Sequence, residues 1–561
     1  MSNSGDLYLL NDSRRTLTNE FTFERKEIIT TIDSNSGAYP NGCIDIDLAS
    51  ISNSGALVDF KNSKLVIPYV VVVTGTDAAD AGSCWALSMK NHIHCIDSIS
   101  VQFGNNSVVE ITETSNIPLN FKLLSELSEQ ELNLYGPSIG FQKDSAFGLT
   151  METANSINCP ISQERNNDAS SRGDAIGAGT DFANYQLNHN GYNSAILKRQ
   201  CDTSLDLTTI DARHAAAQLN GKNYCRRIHG AAPVVPRIVY YGMLTLELKY
   251  LNDFFSKLPL IRNSYMKMKI YTNLQSKTTV NFDRVPDTVV GGITVPEHWR
   301  YTSFANSLSA KTCPYMIAPT SQGTMFAAAT ASGSFTIESG VVKVGVDPEQ
   351  IHPFQNCRLV CPTYVPTIDI GDKYFLNPVK TILYDAYFKT SVTIGDGRSF
   401  NSFLVTSGLS RIRSILLVPM SDYAAPSPNV LLSPFTSCPT TCSPYAFVDQ
   451  FNIRLGGSPV YSQNQYYSYE MFQEEILARG VNGNKSPFMC SGLINQTEWD
   501  RSYRYIYVDL ARKAGQGADN VSKSITIDGH NISGKSLLFL IYVQYQKELR
   551  VNVETGKLVL D

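Results

Sequence analysis

Apolar residues along this chain recur mainly with a period of two. The runs IVYYGMLTLELKYL (238–251), YMKMKIYTN (265–273), SFTIESGVVKVGV (334–346), SFNSFLV (399–405), RIRSILLVPM (411–420), YRYIYVDL (503–510) and LLFLIYVQYQ (537–546) are short and rich in β-branched or aromatic residues. Gly, Asn, Asp, Ser or Pro bounds them, and several alternate as half-buried antiparallel strands should. Helical periodicity is sparse. In PLNFKLLSELSEQEL (118–132), Leu119, Leu123 and Leu127 fall at i, i+4 and i+8, with Pro118 suited to a first turn. In YSYEMFQEEIL (467–477), Tyr469, Phe472 and Ile476 share a face and Ser468 is placed to cap. In LNDFFSKL (251–258), Leu251, Phe254, Phe255 and Leu258 share another.

The strand pattern is written twice. Asp97 opens DSISVQFGNNSV and Asp449 opens DQFNIRLGGSPV. Each runs Asp, three alternating apolar residues (Ile99, Val101, Phe103; Phe451, Ile453, Leu455), a Gly turn (Gly104; Gly456) and a Val (Val108; Val460). Upstream, KLVIP ends at Pro68 and ILLVP at Pro419. The two offsets, 97 to 449 and 68 to 419, agree to within one residue, and a predicted helix follows each copy of the Asp mark. A repeat of this length is a duplicated domain, not a short-period solenoid. The copies differ in one place. Residues 137–235 hold few strand signals and many polar residues, with NNDASSRGDAIGAG (166–179) at their centre. That stretch far exceeds the usual connection of about 4–6 residues and is expected to be an outward excursion. The second copy has only shorter interruptions. Short antiparallel strands, few helices and one large excursion, duplicated, predict an all-β chain of two tandem jelly-roll sandwiches.

Composition narrows the function. The 561 residues exceed one core and suit several domains. Charged residues make up only 17%, while Tyr (29) and Phe (25) are abundant, which favours strands and large protein contacts. The net charge of −4 and the lack of any Lys/Arg run argue against nucleic-acid binding as the main task. No apolar run approaches the ~20 residues of a membrane helix, and no secretory leader is visible. The chain is expected to be soluble and made in the cytosol, with its 12 cysteines reduced and mostly buried.

Several motifs invite chemistry. Gly529-His530-Asn531-Ile532-Ser533-Gly534-Lys535-Ser536 fits the phosphate-loop pattern. Such a loop needs a helix after it, and the strand-like LLFLIYVQYQ follows instead. Gly529, Gly534, Lys535 and Ser536 are therefore read as part of a hairpin turn. The pairs Cys357/Cys361 and Cys438/Cys442 could be joined in a zinc site, but neither context is a knuckle. His92 and His94 in HIHC are read as polar side chains on one strand face. Asp211 and His214 lack a Gly-x-Ser-x-Gly nucleophile. No catalytic, cofactor or metal site is assigned. Arg172-Gly173-Asp174, in the polar excursion, is the candidate receptor-binding tripeptide, although a loop rich in these residues also produces it by chance.

Ordered segments of the chain resemble the double jelly-roll major capsid proteins of double-stranded DNA viruses. The likeness is closest to the polinton-like virus and virophage group, with adenovirus hexon a distant relative. LNDFFSKLPLIRNSYMKMKIYTN (251–273), CRLVCPTYVPT (357–367), the stretch 387–420, FNIRLGGSPVYSQNQYYSYEMFQEEI (451–476) and the stretch from MCSGLINQTEW to the tail YQKELRVNVETGKL carry it. The resemblance implies an N-terminal arm (1–14), a first eight-stranded jelly roll (15–365) and a second (366–561). It implies a homotrimer whose six jelly rolls form a pseudo-hexagonal capsomer of the virion. Partners would be neighbouring capsomers, penton and minor capsid proteins. There would be no sequence-specific nucleic-acid contact, and any contact with an internal membrane or genome would be indirect. It implies neither enzymatic activity nor a cofactor. A receptor- or carbohydrate-binding β-sandwich is the alternative.

Overall fold

A computed structural model describes most of residues 23–559. The longer stretches outside the described residues are 76–85, 142–223, 229–236, 319–331, 342–355, 422–445, 479–492 and 512–520. In the first half the framework strands run in chain order as follows. They are β1 (Phe23–Ile32), β2 (Cys43–Asp47), β3 (Lys64–Gly75), β4 (Ile96–Phe103), β5 (Asn106–Val109), β6 (Arg237–Glu247) and β7 (Met266–Thr272). Then come β8 (Ser276–Val285), β9 (His298–Asn306), β10 (Ser332–Val341) and β11 (Arg358–Pro366). In the second half they are β12 (Val379–Ile394), β13 (Ser399–Leu409), β14 (Ile412–Ser421), β15 (Val448–Leu455), β16 (Ser458–Pro459), β17 (Ile506–Asp509), β18 (Lys523–Asn531) and β19 (Leu537–Asn552).

Every pairing among these strands is antiparallel. One sheet of the first half runs β1-β11-β3-β6 and the facing sheet β2-β7-β4-β5. The second half repeats this with β12-β19-β14-β17 and β13-β18-β15-β16. Leaving out the inserted β8 to β10, both halves order their eight strands 1-8-3-6 and 2-7-4-5. That order is a jelly roll, and the chain has two in tandem. Every sheet is built from one half only, with the helix Ile368–Phe375 between the last strand of one and the first of the next.

The Asp-initiated repeat marks the same strand in both rolls, β4 and β15. Ile99, Val101 and Phe103 face the first core, and Phe451, Ile453 and Leu455 the second, all buried. Gly104 and Gly456 take left-handed φ values of 61° and 59° at the same turn, where a Cβ would be strained. Val108 and Val460 close both turns as buried residues. The proline marks are less equivalent. Pro68 lies opposite Met243, between the inward Ile67 and Tyr69. Pro419 lies opposite Phe539, whose ring meets Phe400 of the facing sheet at 5.8 Å. A spacing one residue short of the other mark reverses the face, because side chains alternate along a strand.

The expected helices form at equivalent points, α1 (Asn116–Glu126) and α2 (Glu129–Ile139) after β5, and α3 (Tyr469–Ala478) after β16. The long first pattern breaks after Leu127. There Ser128 and Glu131 make a capping box, with Ser128 N to Glu131 Oε2 at 2.8 Å and Glu131 N to Ser128 Oγ at 3.2 Å. Ser468 Oγ caps the Met471 amide of α3 at 3.5 Å.

Alternation of strand direction places the connections. In the first roll, 33–42, 76–95, 110–236 and 273–357 leave from one pole, while 48–63, 104–105 and 248–265 lie at the other. In the second, 395–398, 422–447, 460–505 and 532–536 share the first pole, and 410–411, 456–457 and 510–522 the second. A second long excursion, 273–357, was not anticipated. Its strands β8, β9 and β10 extend the first sheet. β10 pairs with Tyr69–Gly75 of β3, beyond the part that β11 uses. Strand signals in the sequence reveal such segments but not which neighbour they join.

Candidate functional site

Each motif that suggested chemistry has a structural use or lies outside the described residues. Gly529 is inside β18, opposite Phe400. A Cβ there would stand 2.6 Å from the Phe400 ring. Gly534 bends the chain at φ 74°, and Ser536 leads into the strand β19. The turn is not the expected hairpin. β18 and β19 belong to opposite sheets, so 532–536 crosses the sandwich. A phosphate loop needs amides converging at a helix start, and none follows here. Lys535 is outside the described residues.

His92–Cys95 form a 3₁₀ turn, not the strand face expected from their alternation. The His94 ring is buried, its Nδ1 3.0 Å from Asn116 Nδ2 at the start of α1. Cys361 on β11 and Cys357 just before it are buried free thiols, and burial pushes both up to about 12. Cys438, Cys442, Asp211, His214 and the Arg172-Gly173-Asp174 tripeptide lie outside the described residues. Among the described residues, no cluster of three or more metal-ligating side chains occurs. No described helix is long and apolar enough to cross a membrane.

The most elaborate side-chain arrangement is the seam between the rolls. The segment after β5 lies on the outer face of the β12–β19 pair. Phe539 points into the sandwich, so Tyr542 and Gln544 point out of it, paired with Lys389 and Tyr387. Thr112 Oγ1 donates to the Tyr387 carbonyl at 3.1 Å, and Thr114 Oγ1 lies 2.7 Å from the Tyr542 hydroxyl. Glu113 is 3.8 Å from Lys389 Nζ, and Glu110 3.0 Å from Lys547 Nζ. Burial lowers the Lys389 pKa, and the Glu113 and Asp97 carboxylates oppose that shift. Burial raises the Tyr542 hydroxyl despite its hydrogen bond to Thr114.

Apolar packing continues the seam. The Phe121 ring of α1 meets Tyr505 and Tyr507 of the second roll at 5.1 and 5.4 Å between centroids. Leu493 N donates to Leu124 O at 2.8 Å. At the other pole Arg262 N donates to Val553 O at 2.8 Å, and the Tyr374 hydroxyl to Leu260 O at 2.7 Å. A half-open cavity of about 570 Å³ lies along the seam, with Glu110, Glu113, Lys122, Asp253, Asp385 and Lys389 among its lining. Its cations face carboxylates already present, as Lys122 does Asp253 at 3.7 Å. The seam holds two domains in one orientation. Nothing in it positions a nucleophile against a base. The sequence did not single out Thr112, Thr114, Tyr387 or Tyr542, because residues far apart in the chain carry no joint signal.

Two jelly rolls of one order, fused side by side through a buried seam, define the double jelly-roll class. Among solved structures, the chain is similar to one from the Sputnik virophage, determined by cryo-EM at 3.5 Å resolution. The TM-score is 0.53 at 9% identity, covering 97% of this chain and 90% of that one. The mavirus major capsid protein matches with a TM-score of 0.46 at 9% identity, over 98% of this chain and 94% of that one. The Faustovirus major capsid protein matches at 0.40 and 10% identity, over 97% and 94%. No family model matches the sequence. No curated protein matches it either.

Proposed function

We propose that this chain is the major capsid protein of an icosahedral double-stranded DNA virus, acting in the virion shell. The observation that carries this reading is the duplicated jelly roll with its long connections gathered at one pole. Tiling needs a constant prism-like body, and an outer surface needs freedom to vary. Parity of the strands keeps the two apart. The fold shared with a virophage chain over nearly the whole of both lengths supports it. The units would be residues 15–365 and 366–561, with 1–14 as an arm. Three copies would set six jelly rolls in a ring as a pseudo-hexagonal capsomer, meeting neighbouring capsomers, penton and minor capsid proteins. Arg172-Gly173-Asp174 belongs to the connection between β5 and β6, which leaves from the varied pole. Assembly rests on buried apolar area and shape, and the chain would carry no catalytic step.

Light scattering and electron microscopy of the purified protein test this. The expected result is hexagonal particles of about 186 kDa, three chains of 61.9 kDa each. A stable monomer at micromolar concentration would overturn it.

A further inference from the structure

The seam inside the chain is a template for a contact between chains. Shifting residue 97 onto 449 also sets Val66 of β3 on Val418 of β14. Their partners then correspond, Arg358 with Leu540, so Val360 takes the place of Tyr542 and Pro362 that of Gln544. On the neighbouring strand Thr30 takes the place of Lys389, and Ile28 that of Tyr387. The second-roll set is the face that the segment after β5 covers. In the first-roll set the β1 members are exposed, with Ile28 67% and the neighbouring Ile32 57% exposed, while Val360 and Pro362 of β11 are half-buried. Both point away from the core, since Leu359 and Cys361 between their partners are fully buried.

The covering segment has its own counterpart. The same shift puts Thr112, Glu113 and Thr114 on Asn464, Gln465 and Tyr466, just before α3 as the originals are just before α1. Asn464 is exposed, and Tyr466 is 44% exposed. So each half of the seam occurs twice in the chain, once with its partner and once without. The chemistry of the two open halves matches. Inside the chain a polar segment (Thr112, Thr114) meets a polar face (Lys389, Tyr542, Gln544). The open segment presents an aromatic ring, and the open face presents Ile28, Val360 and Pro362.

We infer that the segment Ser462–Tyr466 of one copy seats on the outer face of β1 and β11 of a second copy, around Ile28 and Val360. The contact is heterologous, so it propagates until rotation closes it. In the trimer of the capsid reading, three such contacts would close the ring. This rests on the capsid reading above and specifies which surfaces that trimer uses.

The test uses the full chain. Ile28→Glu and Tyr466→Asp are measured separately by light scattering, with circular dichroism and melting to confirm folding. In parallel, a chain carrying both Ile28→Cys and Tyr466→Cys is oxidised and run without reductant beside each single cysteine variant. The expected result is loss of the trimer to a folded, threefold lighter species in both charge variants. The paired cysteine chain alone should give covalent dimers and trimers. A wild-type trimer that survives both charge variants, with no added cross-link from the cysteine pair, overturns this contact and leaves the capsid reading standing. A monomeric wild type overturns both.

Discussion

Gly529 separates a packing role from a phosphate-binding one. An alanine Cβ at this position would stand 2.6 Å from Cζ and 2.9 Å from Cε2 of Phe400, and 3.2 Å from Val448 Cγ1. Carbon atoms in contact prefer about 3.5–4.0 Å, so the ring must retreat by roughly 1 Å. It has little room, since Phe400 is buried and packs against Phe539 across the sandwich. Overpacking of this kind costs about 1–3 kcal/mol. In a unit of 150–250 residues each kcal/mol lowers Tm by about 2–4 °C. Gly529→Ala should therefore melt several degrees below wild type by calorimetry. The same substitution in a Phe400→Leu background should cost less, because the smaller side chain leaves room for the methyl. A phosphate loop would behave otherwise, with stability nearly unchanged and nucleotide binding lost. If Gly529→Ala melts with wild type, or the double-mutant cycle shows no coupling, the packing argument fails.

Three further outcomes follow from other parts of the structure. Gly556 has φ 64°, and a Cβ there would lie 2.3 Å from the Asn263 carbonyl oxygen, so Gly556→Ala should destabilise by at least about 1–3 kcal/mol in chemical denaturation. Burial raises the Asp97 carboxyl, against hydrogen bonds from the Thr114 amide and Ser98. The folded chain then binds this proton more tightly than the unfolded chain, so Asp97 makes stability fall as pH rises from the ordinary carboxylate range through the raised folded pKa. Asp97→Asn should flatten that part of the stability-versus-pH curve, and an unchanged slope would count against the assignment. Cys357 and Cys361, buried with thiols raised to about 12, should be alkylated in peptide mapping only after denaturant is added, and rapid native labelling would contradict their burial.

Local patterns carried most of the framework. The alternation in Ile99, Val101, Phe103 and again in Phe451, Ile453, Leu455 shows the same core-facing strand twice, because a sheet with one buried face leaves a period-two record. Leu251, Phe254, Phe255 and Leu258 read as one face and are all buried. Misreadings arose where a local pattern has two solutions. His92-Ile93-His94-Cys95 alternates like a strand, but the bond between His94 and Asn116 favours a tight turn. Asp528 to Lys535 looks like a hairpin, yet β18 and β19 pair with other strands, which no turn residue records. The seam left no mark at all. Thr114 and Tyr542 are 428 residues apart, and each is an ordinary residue in its own segment.

The crossing 532–536 and the Gly456-Gly457 turn sit at opposite poles of the same sandwich. An epitope or affinity peptide spliced into the first would emerge at the pole from which the long connections leave. The same peptide in the second would emerge at the opposite pole. Counting strands from either site is enough to choose the side on which a foreign sequence is presented, so the fold doubles as an addressable display scaffold.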